Sequence, residues 1–85
     1  FTLKDTDISI YPNPANQTVT LVFDNAQKEN YTLTIYDIQG RAVQTINNIT
    51  TEKVTIGTKN LTGGFYFLQL RTDKQIVATG KLAKE

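Results

Sequence analysis

A few residues in this chain have types and spacings that could do chemistry. Asp5 and Asp7 form an Asp-x-Asp pair, the opening of a carboxylate cage for a hard cation. A calcium loop needs further oxygen ligands at set spacing, and none follow. Ser9 is the only serine, and a chain without histidine offers no imidazole to activate it. Gly40, Gly57, Gly63 and Gly64 would cradle a phosphate only with a lysine at fixed spacing and a helix behind them, and neither follows. Asn16, Asn30, Asn48 and Asn60 each open an Asn-x-Thr tripeptide. That pattern is the N-glycosylation acceptor of secreted eukaryotic domains. It also arises where asparagine ends a turn and threonine opens the adjoining strand two residues later. No catalytic, metal-binding or cofactor-binding residue is expected.

Composition narrows the field further. Eighty-five residues make one domain, 1–85, with residues 1–7 read as the end of an upstream linker. A domain of this size hides only about 60–65% of its unfolded surface, so it has a single thin core. The absence of cysteine rules out disulfides and thiolate chemistry, and the absence of histidine removes the commonest metal ligand. Nine basic residues nearly cancel eight acidic ones, and the seven lysines are scattered. No basic stripe suits a nucleic-acid backbone, so no nucleic-acid partner is expected. No stretch approaches the ~18 apolar residues of a membrane-spanning helix, nor does the start resemble a signal peptide. If the protein is exported, the signal peptide is expected upstream, on a larger chain.

The elements that must position any site are strands. Short alternating runs recur between turn residues at a spacing of roughly 8–12, the pattern of an antiparallel sandwich. Strands are expected at Ile8–Tyr11, Thr18–Phe23, Tyr31–Ile35, Ala42–Ile46, Lys53–Ile56, Gly64–Leu70 and Gln75–Leu82. Pro12 and Pro14 halt the first, because proline cannot donate to a ladder. Val19, Leu21 and Phe23 share one face, as do Tyr31, Leu33 and Ile35. Asp37-Ile38-Gln39-Gly40 reads as a type I turn, with an aspartate able to accept backbone hydrogen bonds and a glycine that tolerates positive φ.

The last hairpin leaves two registers open. A two-residue loop at Asp73-Lys74 would set Val77, Thr79 and Lys81 on the face of Leu70, Leu68 and Tyr66. A three-residue loop would set Ala78, Gly80 and Leu82 there instead. A one-residue slip inverts the strand, and burying Lys81 unpaired is costly, so the second is preferred. Tyr66, Leu68 and Leu70 inward means that Phe65 and Phe67 point outward, as does Tyr36 beyond Ile35. These three aromatics form a candidate contact patch with Lys81 alongside, suited to a partner or to self-association.

Four short motifs occur in order. They are Tyr11-Pro12-Asn13-Pro14; Asp37, Gly40 and Arg41; Leu61, Gly64, Tyr66, Leu68 and Leu70 as Leu-x-x-Gly-x-Tyr-x-Leu-x-Leu; and Gly80-Lys81 with Lys84. Together they resemble the type A C-terminal sorting domain of the type IX (Por) secretion system of Bacteroidetes, from about Ile10 to Lys84. The terminal Ala83-Lys84-Glu85 departs from the basic or apolar ending of many members. The resemblance implies an all-β, seven-stranded antiparallel immunoglobulin-like β-sandwich. It also favours the turn-and-strand reading of the Asn-x-Thr tripeptides.

The role it implies is an address: the domain directs a cargo on the same chain through the outer-membrane translocon, for surface anchoring or release. Implied partners are components of the type IX translocon, the upstream cargo domain and, if the domain is cut off, a sortase-like cysteine peptidase. The implied route runs through the periplasm to the outer-membrane surface or the medium. Lys81 and Lys84 are expected beside a free outer edge of the last strand. The alternative is an immunoglobulin-like carbohydrate- or protein-binding module of a secreted bacterial enzyme. Sugar platforms usually use tryptophan, which is absent here.

Overall fold

The computed structural model describes residues 8–12, 15–25 and 28–85. Asp5, Asp7, Asn13, Pro14 and the expected linker 1–7 lie outside the described residues. Seven strands form: β1 (Ser9–Tyr11), β2 (Thr18–Val22), β3 (Tyr31–Tyr36), β4 (Ala42–Ile49), β5 (Lys53–Gly57), β6 (Gly64–Arg71) and β7 (Ile76–Lys84). They make two antiparallel sheets, ordered β1-β2-β5 and β4-β3-β6-β7. No helix occurs among the described residues.

Alternation builds the core. Val19, Leu21 and Ile56 from the three-stranded sheet are buried together with Leu33, Ile35, Tyr66, Leu68, Leu70 and Leu82 from the four-stranded one. Each fully buried leucine or isoleucine contributes about 1.5–3 kcal/mol relative to exposure. Phe23 is buried as expected, though β2 ends one residue before it. Its ring packs on Tyr31 at a centroid separation of 5.9 Å. The strand threonines sit between the apolar positions; Thr20 and Thr55, for example, hydrogen bond across β2 and β5 at 3.0 Å.

The last hairpin combines both loop readings. The Thr72 N–H donates to the Gln75 carbonyl at 2.9 Å, and Arg71 pairs with Ile76, as a two-residue Asp73-Lys74 loop requires. A bulge between that pair and the Leu70–Ala78 pair then absorbs one residue. Leu68 consequently faces Gly80 and Tyr66 faces Leu82, the register of the longer loop, while Lys81 stays out of the core. β7 runs to Lys84, two residues past its expected end.

β4 also outruns expectation, from Ala42 to Ile49 rather than to Ile46. Leu33 pairs with Ile46 but Tyr31 with Ile49, so a residue is accommodated between them. Asn48, at φ +60°, supplies the irregular backbone. The bulge lets Ile46 and Ile49, three residues apart, both turn toward the core. It also corrects part of the reading of the Asn-x-Thr tripeptides. Thr18 opens β2 and Thr32 lies at the start of β3, but Asn48 is inside a strand and Thr62 is in a loop.

Candidate functional site

The strongest local structure is the β3–β4 turn. The Gly40 N–H donates to the Asp37 carbonyl at 3.0 Å, and the Asp37 N–H donates to the Arg41 carbonyl at 2.9 Å. The carboxylate of Asp37 fills the inside of the loop. Its Oδ1 accepts from the N–H groups of Gln39 and Arg41 at 2.9 and 3.0 Å, and its Oδ2 accepts from Arg41 Nε at 2.9 Å. Gly40 has φ +85°, a conformation that a side chain would strain. The backbone donation from Arg41, followed by its side chain and the Gln39 N–H, holds the Asp37 carboxyl below the usual aspartate range. The three motif residues therefore form one self-contained unit, with the aspartate largely enclosed and the arginine side chain 74% exposed.

The approach to β6 is anchored twice. Thr58 is fully buried; its N–H donates to the Gln17 carbonyl at 2.8 Å and its hydroxyl to the Asn16 carbonyl at 3.1 Å. The Tyr66 hydroxyl then donates to the carbonyl of Thr62, four residues back, pinning the loop over the start of the strand. Gly64 enters β6 at φ +147°.

These two structures meet. Asp37, Arg41, Leu61 and Tyr66, all motif residues, line an open groove of about 700 Å³ together with Ile38 and Val43. The groove bridges the start of β4 and the β5–β6 loop. Its turn-side rim carries Ile38, 73% exposed. Leu68 and Leu70, by contrast, are core residues with no surface role.

The tail motif runs along the same end of the four-stranded sheet. Lys84 faces Gly64, Lys81 faces Phe67 and Gly80 faces Leu68. Gly80 packs closely under Ile10, whose side-chain tip would have to shift to admit a Cβ there, since Cδ1 lies 2.8 Å from that position. The expected free edge of β7 is only partly so. The Ala15 N–H donates to the Ala83 carbonyl at 2.7 Å and the Glu85 N–H to the Ala15 carbonyl at 2.9 Å, a parallel bridge that covers the end of the strand. The chain just after Pro12-Asn13-Pro14 is thereby tied to the C-terminal motif. Pro12 itself is exposed.

Tyr36, Phe65 and Phe67 occupy the outer face at that end, as parity requires. Phe67 stands between Tyr36 on β3 and Lys81 on β7, and Phe65 is paired with Ala83. Phe65 is 69% and Phe67 44% exposed, whereas Tyr36 is half-buried and its hydroxyl donates to Gln69 Oε1 at 3.4 Å. Among the described residues no cluster of three or more acidic residues could hold a metal ion.

Three features escaped the sequence. Asn25 is buried and stitches the β2–β3 loop, donating from Nδ2 to the Glu29 and Thr51 carbonyls and accepting from the Glu29 N–H. Thr58 and the groove-lining Val43 gave no distinguishing signal, since each acquires its role from a segment distant in sequence. Solvent-exposed Ile38 was visible only as a turn residue.

Comparison with known proteins identifies one family. A family model described as "Secretion system C-terminal sorting domain" matches residues 9–85. No curated protein matches the chain at a significant level.

Proposed function

Because the chain belongs to the secretion-system C-terminal sorting domain family, we propose that translocon components of the type IX system read it as a folded address at the motif-bearing end of its larger sheet. The membership itself makes the domain a sorting signal for type IX secretion, on a protein bound for the cell surface or the extracellular space. Such a domain is a signal and not a catalytic family. The observation that carries the reading is the match across residues 9–85, which spans every strand.

The finer features of this reading have separate support. An immunoglobulin-like sandwich is favoured by the sheet orders β1-β2-β5 and β4-β3-β6-β7, with the third and sixth strands as neighbours. It is favoured too by the Tyr66 hydroxyl reaching back to the Thr62 carbonyl, the tyrosine corner of that fold at the entry to its sixth strand. Recognition by the translocon uses Asp37, Gly40 and Arg41 as a rigid turn, Lys81 and Lys84 on the final strand, and Tyr36, Phe65 and Phe67 as the outer contact patch. Clustered exposed aromatics are costly to leave in water, and aromatic anchors tend to dominate contact energetics. The cargo is carried on the same chain and passes through the periplasm. If the domain is removed rather than retained, a sortase-like cysteine peptidase makes the cut before it.

Mass spectrometry of a reporter fused ahead of residues 1–85, recovered from a type IX-competent host, tests this route. A mature reporter lacking the domain is expected, with the uncut fusion accumulating when the peptidase is inactivated. Exported reporter that keeps the domain in both strains would remove the peptidase from the account.

A further inference from the structure

We propose that Ile38, carried at the tip of the β3–β4 turn, is the anchor that seats the domain in an apolar pocket of its translocon receptor, with Arg41 as its positioning residue. This rests on reading the domain as a folded address and names the side chain that carries the contact. A single exposed hydrophobic is ordinary and needs no explanation. Here the exposed hydrophobics are not scattered. Of Tyr11, Ile38, Val43, Phe65 and Phe67, all but Tyr11 stand at the end of the larger sheet where β3 stops and β4 and β6 begin. Ile38 is the most exposed of them.

What holds Ile38 sets it apart. The three backbone N–H groups that follow it are all tied to Asp37: those of Gln39 and Arg41 donate to Oδ1, and that of Gly40 donates to the carbonyl. Arg41 Nε then closes on Oδ2. An ion pair whose arginine side chain is 74% exposed adds little to stability. What the clamp supplies is a fixed direction for Ile38, and a group ordered in advance loses little entropy on binding. The isoleucine side chain has no polar atom, so apolar enclosure is the contact that rewards it. A lipid surface fits poorly. Ile38 and Val43 line the groove on the Tyr66 side of β6, while Phe65 and Phe67 lie on its other face, so the four share no one plane. A folded receptor with a pocket for one aliphatic side chain fits a rigid knob of this kind.

The test is the export rate of a reporter fused ahead of residues 1–85 in a type IX-competent host, for Ile38→Asn, Ile38→Val, Arg41→Gln and the Ile38→Asn/Arg41→Gln pair. Each purified domain is melted in parallel. Export should fall about tenfold in Ile38→Asn, the scale of a truncated interface anchor, at an unchanged melting temperature. Ile38→Val should keep most of the parent rate. Arg41→Gln should slow export in the parent but not further in Ile38→Asn, since its effect passes through Ile38. In ¹⁵N relaxation, the Ile38 and Gln39 amides should be as ordered as those of β3 and should loosen in Arg41→Gln. Parent-like export of Ile38→Asn, a loss of export matched by a loss of melting temperature, equal losses from Arg41→Gln in both backgrounds, or a mobile turn in the parent would each overturn the proposal and leave the address reading intact. Binding to phosphatidylethanolamine–phosphatidylglycerol vesicles, or dimerisation in sedimentation, that Ile38→Asn abolishes would assign the side chain to a membrane or a second copy, and would overturn it too. A parent fusion that stays in the periplasm counts against the address reading itself, and the proposal falls with it.

Discussion

Replacing Tyr66 by phenylalanine isolates one hydrogen bond from everything else the residue does. The ring stays buried between the sheets, so no cavity forms and the core contribution is retained. What is lost is the donation to the Thr62 carbonyl. A typical intramolecular hydrogen bond contributes about 0.5–1.5 kcal/mol net, and an orphaned buried partner raises the cost to about 1–3 kcal/mol. Thr62 is an exposed residue, so water can reach its carbonyl and the lower range applies. A loss of about 1 kcal/mol in a domain of this size lowers the melting temperature by roughly 4–8 °C. Thermal and urea unfolding followed by circular dichroism would measure it, with an unchanged m-value showing that the native fold is kept. A melting temperature within a degree of the parent would show that the corner contributes nothing. A fall as large as that of Leu68→Ala would show that the hydroxyl is buried more deeply than the structure places it.

Other outcomes follow from the same packing. Leu68→Ala should cost about 2–5 kcal/mol by denaturant unfolding, since the side chain is 1% exposed at the centre of the larger sheet. The Asp37 carboxyl is depressed by its turn, so its stabilisation is complete above the unfolded-state pKa and is lost as pH falls through the lower folded value. Stability should therefore decline below about pH 4, the usual aspartate range, and this part of the decline should vanish in Asp37→Asn. Phe65→Ser/Phe67→Ser should leave the melting temperature nearly unchanged while export of a fusion falls; normal export would make the outer patch incidental. Removing residues 80–85 takes fully buried Leu82 out of the core, so the truncated chain should lose cooperative melting as well as export.

Much of the fold was legible because its signals are local. The alternation of Tyr66, Leu68 and Leu70 fixes their face whatever they pair with, and the Asp37–Gly40 turn is specified within its own residues. The register of β7 was readable for a different reason, the cost of burying Lys81, although the bulge that achieves it was not. Bulges defeat period-two reasoning, which is why β4 seemed to end at Ile46 when Asn48 in fact re-phases it and buries Ile49. Long-range closures were invisible. Nothing near Ala15 announces that it will clip the end of β7, nor does anything near Thr58 announce its bonds to Asn16 and Gln17. The groove is of this kind, since its walls come from a turn and a loop some twenty residues apart in the chain.

This domain is a sorting signal for type IX secretion. The most direct measurement is the location of a reporter carrying a signal peptide at its start and residues 1–85 at its end, in a type IX-competent bacterium. Reporter is expected at the cell surface or in the medium, and should disappear from both when the translocon is inactivated. Reporter retained in the periplasm, under conditions where another sorting domain exports the same fusion, would contradict it.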